Sequence, residues 1–517
     1  MNLPATSSDI DLQLQNQQLQ VALNASLQEI ASLKHQLAWF KQQLFGEKSE
    51  KRLDLENPDQ IDLGDLFKAP APELPPKTEK ISYERRKKNR PDNCVTDQGL
   101  RFDDNVPVEE IDEPVPELEG PDADQYEIID HKYTYRLAQR PGSYVVKKHR
   151  RPVIRHKPSQ TLRTIPAPTG LFDRSFADVS LIAGMLVEKF VDHLPLHRQH
   201  QRMARSGITV SRSTLTQLVQ RSVELLRPIY DALIISVLES HVLAIDETPI
   251  KAGRKEKGKM QKAYFWPVYG LQDEVVFTFS TSKSREHLYP LLENWEGTLL
   301  TDGNPVYDSY CKSRPEITLA QCWSHGRRYF AKAQESEPAA VATALDVIGR
   351  IYHVEATIRE KELTGEQKRI CRQQQSTPLV NEFFDWCHNE RQRMDLTPGD
   401  PLSKALGYAC NHKEQMQVFL DNPDVPIDTN HLERSLRCIP MGRKNYMFCW
   451  TEVGAEHVGI VQSLLVSARL HAIDPYKYLV DILQRVSLHP ARQIEELIPR
   501  NWKVRFGSNP LKAFPDK

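Results

Sequence analysis

HVLAIDETPI (241–250), KAYFWPVYG (262–270), EVVFTFSTS (274–282) and GTLLTDG (297–303) decide the fold of this 517-residue chain. Each is a short run rich in Val, Ile, Phe, Tyr or Thr and bounded by glycine, proline or charge, the composition of a strand. The first three read as successive strands, joined by a basic, glycine-containing loop (KAGRKEKGKMQ, 251–261) and a short link. A helix over 286–295 leads into the fourth, and this order predicts a mixed α/β sheet. Residues 325–420 are patterned mostly as helix, and a last helical block runs over 429–486.

Two acids stand at predicted strand ends: Asp246 after LAI, and Asp302 after LLT, where Gly303 lets the backbone turn. A third, Glu433, lies in NHLERSLR (430–437), where Asn430, Glu433 and Arg437 share a helix face at spacings of three and four. If that helix packs beside the strand ends, three carboxylates converge. Alone they repel and raise one another's proton affinity. Hard oxygen donors with room for water suit Mg²⁺ or Mn²⁺, and two such ions can activate water or a 3′-hydroxyl and stabilise a leaving phosphodiester oxygen. Strand-end acids also occur in many sheets with no such chemistry. Glu247 should face the other side of the strand and is read as structural.

Outside this core the chain is long enough for about three domains. Its 68 Lys+Arg against 69 Asp+Glu exclude a uniformly basic nucleic-acid protein and an acidic disordered one. Leu12–Leu44 carries a heptad, with Asn16, Leu23, Ile30, Leu37 and Leu44 at one position and Leu12, Leu19, Ser26, Leu33 and Phe40 at the other; this asks for a partner helix and predicts a self-associating coiled coil. Fifteen of the 35 prolines fall in 54–170, a linker and small-module region. Within it, residues 95–130 hold thirteen acids and one arginine, whereas 131–165 hold ten Lys or Arg and no acid. The basic half alternates like a strand and brings Arg150 and Arg151 to a surface suited to phosphates; alternatively it docks on the acidic half. In HRQHQRMARSGITVSRSTLTQLVQRSVELL (197–226) a Gly207 turn separates two helices, and Ser211 is a plausible N-cap. This is a helix-turn-helix pattern whose second helix offers Arg212, Ser213, Thr214, Gln217 and Arg221 to a groove, or an ordinary helical hairpin. The start of the chain lacks the pattern of a signal peptide, no segment is apolar enough to span a membrane, and the eight cysteines form no CxxC pair, so a cytoplasmic protein with reduced thiols is expected.

The blocks LAIDETPI (243–250), LLTDGNPVY (299–307), QCWSHGRRYF (321–330), NHLERSLRCIPMGRKNYMF (430–448) and LLVSARLHAIDPYKYLVDIL (464–483) resemble, in order, those of the insertion-sequence-66 family of transposases. LFGEKSEKR (44–52) and the run 181–215 are similar to the same family upstream, so the resemblance spans nearly the whole chain. It implies a DDE transposase: Asp246, Asp302 and Glu433 as catalytic acids and metal ligands, two Mg²⁺ or Mn²⁺ ions, a ribonuclease-H-like core, and a long helical insertion before the third acid. The family's Cys-Trp-Ala-His-x-Arg-Arg block is matched by Cys322, Trp323, His325, Arg327 and Arg328, with Ser324 in place of Ala. His325 and both arginines are expected near DNA or in core structure rather than on zinc, because two ligands do not make a tetrahedral site. Arg443 and Lys444 in GRKNY can grip phosphate or satisfy the end of their helix. The family's paired-cysteine module is missing: residues 90–165 hold only Cys94, so no zinc is expected there.

The expected organisation is a coiled coil over 1–53, a linker and acidic/basic module over 54–170, a helix-turn-helix region over 171–240, the catalytic core over 241–450 with its insertion at about 325–420, and a helical region over 451–517. The expected partners are the DNA of the element ends and target, a second copy of the chain through the coiled coil, and accessory transposition proteins, with no membrane. The rival expectation is a helix-turn-helix regulator that has lost catalysis.

Overall fold

The computed structural model describes residues 100–513, except 105, 141, 174, 257 and 258, together with Gln20. Apart from Gln20, the heptad segment lies outside the described residues, as does Cys94.

The acidic and basic segments form one sheet. Its strands are β1 (Val108–Asp112), β2 (Tyr126–Arg140), β3 (Ser143–His156) and β4 (Leu162–Thr164), with β3 paired to the other three. Because β1 runs parallel to β3 with Glu110 opposite Lys148 and Asp112 opposite Arg150, acids and bases meet across the ladder. Lys148 pairs with Glu110, Arg150 grips Asp112 through two nitrogens (Nη2 to Oδ2 2.8 Å), and Arg155 pairs with Glu127. On the other face Lys147 is wholly buried and meets Asp178 at 2.9 Å. At these positions the basic half is compensated, Lys148, Arg150 and Arg155 by acids of the same module and Lys147 by Asp178 beyond it, which favours the docked alternative.

Three helices follow: α1 (Val179–Phe190), α2 (Leu196–Arg205) and α3 (Arg212–Leu238). Gly207 turns the chain at φ 80°, and Ser211 caps α3 by accepting from the Thr214 amide at 3.1 Å. Two helices joined through the Gly207 turn are present, with Ile208–Thr209 added as a short strand against Arg101–Phe102. α3 continues well past the motif, burying Leu226, Leu233 and Val237, and its Tyr230 hydroxyl donates to the Phe277 carbonyl at 3.2 Å. One helix thus joins the motif rigidly to the central sheet.

That sheet comprises β5 (Val242–Ile245), β6 (Thr248–Glu256), β7 (Lys259–Gly270), β8 (Glu274–Ser280), β9 (Gly297–Thr301) and, after helix α4 (Pro305–Cys311), β10 (Ile317–Gln321). The order is β8-β7-β5-β9-β10, with β6 also on β7. β5 is antiparallel to β7 and parallel to β9, and β10 is parallel to β9.

Three expectations are corrected. HVLAIDETPI is two strands: β5 and β6 both pair with β7, and the ladder lapses between them beside Pro267, which has no amide to donate. The basic loop at 251–261 is largely β6 and β7 themselves, since buried Ile250 and Ala252 alternate with exposed Lys251. The helix over 286–295 shrinks to a single turn at Leu288–Leu291 preceded by a 3₁₀ turn.

Past the sheet lie α5 (Trp323–Lys332), α6 (Pro338–Glu360), α7 (Thr377–Glu390), α8 (Pro401–Asn411), α9 (Lys413–Asp421), α10 (Asn430–Leu436), α11 (Cys438–Tyr446) and α12 (Glu452–Leu470). Trp323 is wholly buried among Phe383, Phe384 and Phe419 and anchors the helical insertion. α12 covers the outer strand β8: Ser463 and Ser467 accept from the amides of Phe277 (2.8 Å) and Val275 (3.0 Å), which would otherwise form an open sheet edge. A continuous hydrophobic core runs from Leu100 to Ala513, so residues 171–240, 241–450 and 451–513 share it. No helix among the described residues is long and apolar enough to cross a membrane.

Candidate active site

Asp246 directly follows β5, and Asp302 directly follows the parallel neighbour β9, so both acids leave the sheet at the same edge. Gly303 (φ 87°) makes the turn after Asp302; a Cβ there would lie 2.2 Å from Gln321 Nε2. Asp302 is fixed from two sides. Its Oδ1 accepts from the Asn304 amide at 2.9 Å, while its carbonyl accepts from the Tyr408 hydroxyl at 3.0 Å. Gln321 in turn donates to that hydroxyl at 2.6 Å.

Glu433 stands on α10, and Asn430, Glu433 and Arg437 all line one cleft of about 480 Å³ together with Asp246, His325, Arg328 and Arg434. The shared face expected of NHLERSLR is the face that borders the cleft. The Cys322–Arg328 block sets where α10 sits. Cys322 Sγ accepts from the Thr429 amide and hydroxyl, both at 3.3 Å, the Trp323 amide donates to the Ile427 carbonyl at 3.1 Å, and the Ser324 hydroxyl donates to Asn430 Oδ1 at 3.3 Å. Cys322 is thus a buried acceptor, consistent with core structure rather than zinc.

Charge is concentrated here. Burial, then the negative charge of Asp302, with smaller contributions from Glu247 and Glu433, pushes the Asp246 carboxyl up to about 7. Glu433 is held by Arg328, whose Nη2 donates to Oε1 at 2.6 Å and also reaches Oε2, and His325 Nε2 lies 3.7 Å from Oε1. Burial, then Arg328, lowers the proton affinity of His325, and its Nδ1 is buried with no hydrogen-bond partner. Among the described residues no group of three or more His, Cys, Asp and Glu is arranged to hold a metal ion. The donor chemistry nonetheless fits a hard divalent cation: Asp246, Asp302 and Glu433 offer only carboxylate oxygens, and the charges of Asp302 and Glu433 are felt at Asp246.

Glu247 lies in a buried network beside the two aspartates, accepting from Tyr307 at 2.7 Å and from Asn304 and pairing with Lys283. Asn304 caps α4 by accepting from the Val306 amide at 3.2 Å, so Glu247 braces the loop that carries Asp302. Sequence reasoning missed Asn304, Lys283, Gln321 and Tyr408. The signal for Asn304 was present, since Asn followed by Pro marks a helix start; the others come together only in three dimensions.

The remaining expected contacts are dispersed. Arg327 is exposed on α5, Lys444 is exposed on α11, and Arg443 donates to the Pro249 carbonyl, tying α11 to β6. Thr214, Gln217 and Arg221 fall on one face of α3; Arg212 lies on another, and Arg221 stacks 4.1 Å from the Phe172 ring centroid. Arg150 is engaged by Asp112, and Arg151 by the Ile165 carbonyl and Thr134 at 2.9 Å each.

Family models match most of the chain. The model of the transposase IS66 family matches residues 174–457, that of the IS66 C-terminal element matches 463–500, and one described as transposase C of IS166 homeodomain matches 32–111. The protein is a transposase. Its relatives include two uncharacterized proteins of Sinorhizobium fredii: y4jD, 30% identical over 66% of this chain and 69% of its own length, and y4hP, 28% identical over 66% of each. The chain belongs to the IS66 transposase family.

Proposed function

We propose that this transposase is a DDE enzyme that recognises the terminal inverted repeats of its element, cleaves DNA at the 3′ ends and joins them to a target. The observation that carries the reading is the placement of Asp246 and Asp302 on adjacent parallel strand ends, with Glu433 in the cleft beside Asp246. The strand order β8-β7-β5-β9-β10, three antiparallel strands followed by two parallel ones, supports a ribonuclease-H-like core.

Asp246, Asp302 and Glu433 would hold two Mg²⁺ or Mn²⁺ ions, which when bound supply an activated hydroxyl and neutralise the leaving oxygen. Asp246 must shed the proton that its neighbours favour, and Glu433 must exchange Arg328 for the carboxylate cluster. Arg328, so released, faces the cleft where a phosphate enters and can take its charge. α3 would present Thr214, Gln217 and Arg221 to a DNA groove, and a coiled coil over 1–53 would pair two protomers so that both element ends are processed together.

The test is cleavage and joining of labelled DNA from both ends of the flanking element, with Mg²⁺ or Mn²⁺, using the intact chain and Glu433→Gln. Metal-dependent nicks and joined products that vanish in the variant support the DDE assignment. Specific binding without any product in the intact chain points instead to a missing accessory partner or to a copy that has lost catalysis.

A further inference from the structure

A second surface begins where the cleft ends. Pro440 lines the cleft, and the next residues carry the chain through α11 to Phe448–Trp450, which docks along the β6–β7 hairpin. The docking is by backbone: the Cys449 amide donates to the Lys251 carbonyl at 2.8 Å, and the Gly253 amide to the Cys449 carbonyl at 3.3 Å. β6 itself starts two residues after Asp246, so both halves of this surface grow directly out of the candidate active site.

Among its described side chains cations outnumber acids. Lys251 and Lys262 are exposed and directly opposite across the antiparallel ladder, an arrangement that like charges destabilise. Arg254 and Lys444 are exposed as well, and among the described residues none of these four cations is in an ion pair. Glu452 reaches Gly253, but it opens α12, where the helix amides offset its charge. An anion that spans the two lysines would relieve their repulsion.

Its apolar content is equally unusual. Trp450 is 59% exposed, and Arg254 lies 3.9 Å from its ring centroid on one face, which fixes the plane of the indole. Phe448 sits beside it with ring centroids 5.9 Å apart, and Met447, 67% exposed, precedes both. Met447 is the centre of a γ-turn, with φ 62°, ψ −46° and the Phe448 amide donating to the Tyr446 carbonyl at 2.7 Å. This turn is rare and strained in L-residues, and such strain concentrates at functional sites.

We propose that this surface is a subsite for a frayed DNA strand leaving the active site, in which Lys251, Arg254, Lys262 and Lys444 take backbone phosphates and the indole of Trp450 takes an unpaired base. Aromatic rings beside a row of cations are the recognition chemistry of single strands, because every base has a face to stack and every linkage a charge. The inference rests on DNA being the substrate, but binding alone reads it out.

The test uses the full chain in metal-free buffer, where no cleavage occurs, and two probes: a duplex from the element end, and the same duplex with its terminal bases unpaired, carrying a fluorescent adenine analogue at the unpaired position. The intact protein should prefer the frayed probe and quench the analogue. Trp450→Ala should lose the quench and weaken frayed binding about tenfold while paired binding stays, and Trp450→Phe should restore both. The double variant Lys251→Ala, Lys262→Ala should reduce the salt slope by about 1.5 on the frayed probe. Circular dichroism checks that each variant is folded. Equal affinity for the two probes in the intact protein, or an unchanged quench in Trp450→Ala, overturns the subsite. Neither result depends on whether Glu433→Gln abolishes cleavage.

Discussion

Replacing Asp246 by Asn should stabilise the protein, and the gain should grow with pH. In the folded chain burial and Asp302 hold the Asp246 carboxyl at about 7, whereas an unfolded chain releases that proton near 3.8. Below about pH 4 both states carry it and no penalty exists. As pH rises the unfolded state ionises first, so folding increasingly opposes ionisation, and above about pH 7 the penalty is complete. Each tenfold step in proton affinity is ~1.4 kcal/mol, which makes the full penalty ~4 kcal/mol, with roughly 1.5 kcal/mol already present at about pH 5. The side-chain amide of the variant carries no charge, and its carbonyl can still accept from the Glu247 amide as Asp246 Oδ1 does at 2.7 Å. Thermal melts in a chelating buffer should therefore show the advantage of the variant widening by ~2.5 kcal/mol, or about 5 °C for a catalytic unit of this size, between about pH 5 and about pH 8. Added Mg²⁺ should raise the melting point of the parent at the higher pH and leave the variant nearly unmoved. An advantage equal at both pH values would refute the claim that the acids press on one another here.

Further outcomes concern the surroundings of the acids and the strand module. Arg328→Gln removes an ion pair between side chains 46% and 25% exposed, worth ~1 kcal/mol, so Mn²⁺ binding measured by calorimetry should tighten about fivefold; weaker binding would mean that Arg328 orients Glu433 rather than restraining it. Gly303→Ala imposes a positive φ on a residue with a Cβ and a close approach to Gln321 and Tyr408, which should cost ~2–4 kcal/mol in thermal melts; a loss below about 1 kcal/mol would show that the turn adapts. Arg150→Ala with Arg151→Ala should leave DNA affinity and its salt slope unchanged, because both guanidinium groups are engaged inside the module; a slope reduced by one or more would reopen the phosphate surface.

The sheet was legible because its strands are compact apolar runs, and the two strand-end acids because each run stops at a charge. Asn430, Glu433 and Arg437 were legible as one face because helical spacing is local. The break after Ile245 was not, since its cause, Pro267, lies on the partner strand. Nor was the choice between the two readings of the acidic-to-basic switch: composition gives the charges, but only the parallel register of β1 on β3 sets Glu110 against Lys148. The restraint on Glu433 was hidden for the same reason, because Arg328 reaches it from another helix. The helix-turn-helix and the Ser211 cap were visible as pattern, whereas the continuation of α3 into the central core follows from packing over its whole length.

The hydrogen bond from the Trp323 amide to the Ile427 carbonyl makes the helical insertion a closed detour: the chain departs and returns at a single stitch. What separates the second acid from the third in sequence is therefore irrelevant to what separates them in space. Helices could be added to the detour without moving Glu433, so long as Cys322, Trp323 and Thr429 keep the stitch, Tyr408 keeps its bond to the Asp302 carbonyl, and Phe383, Phe384 and Phe419 keep Trp323 buried. Away from α8 and the rings around Trp323, the insertion is free to change while the chemistry beneath it stays fixed.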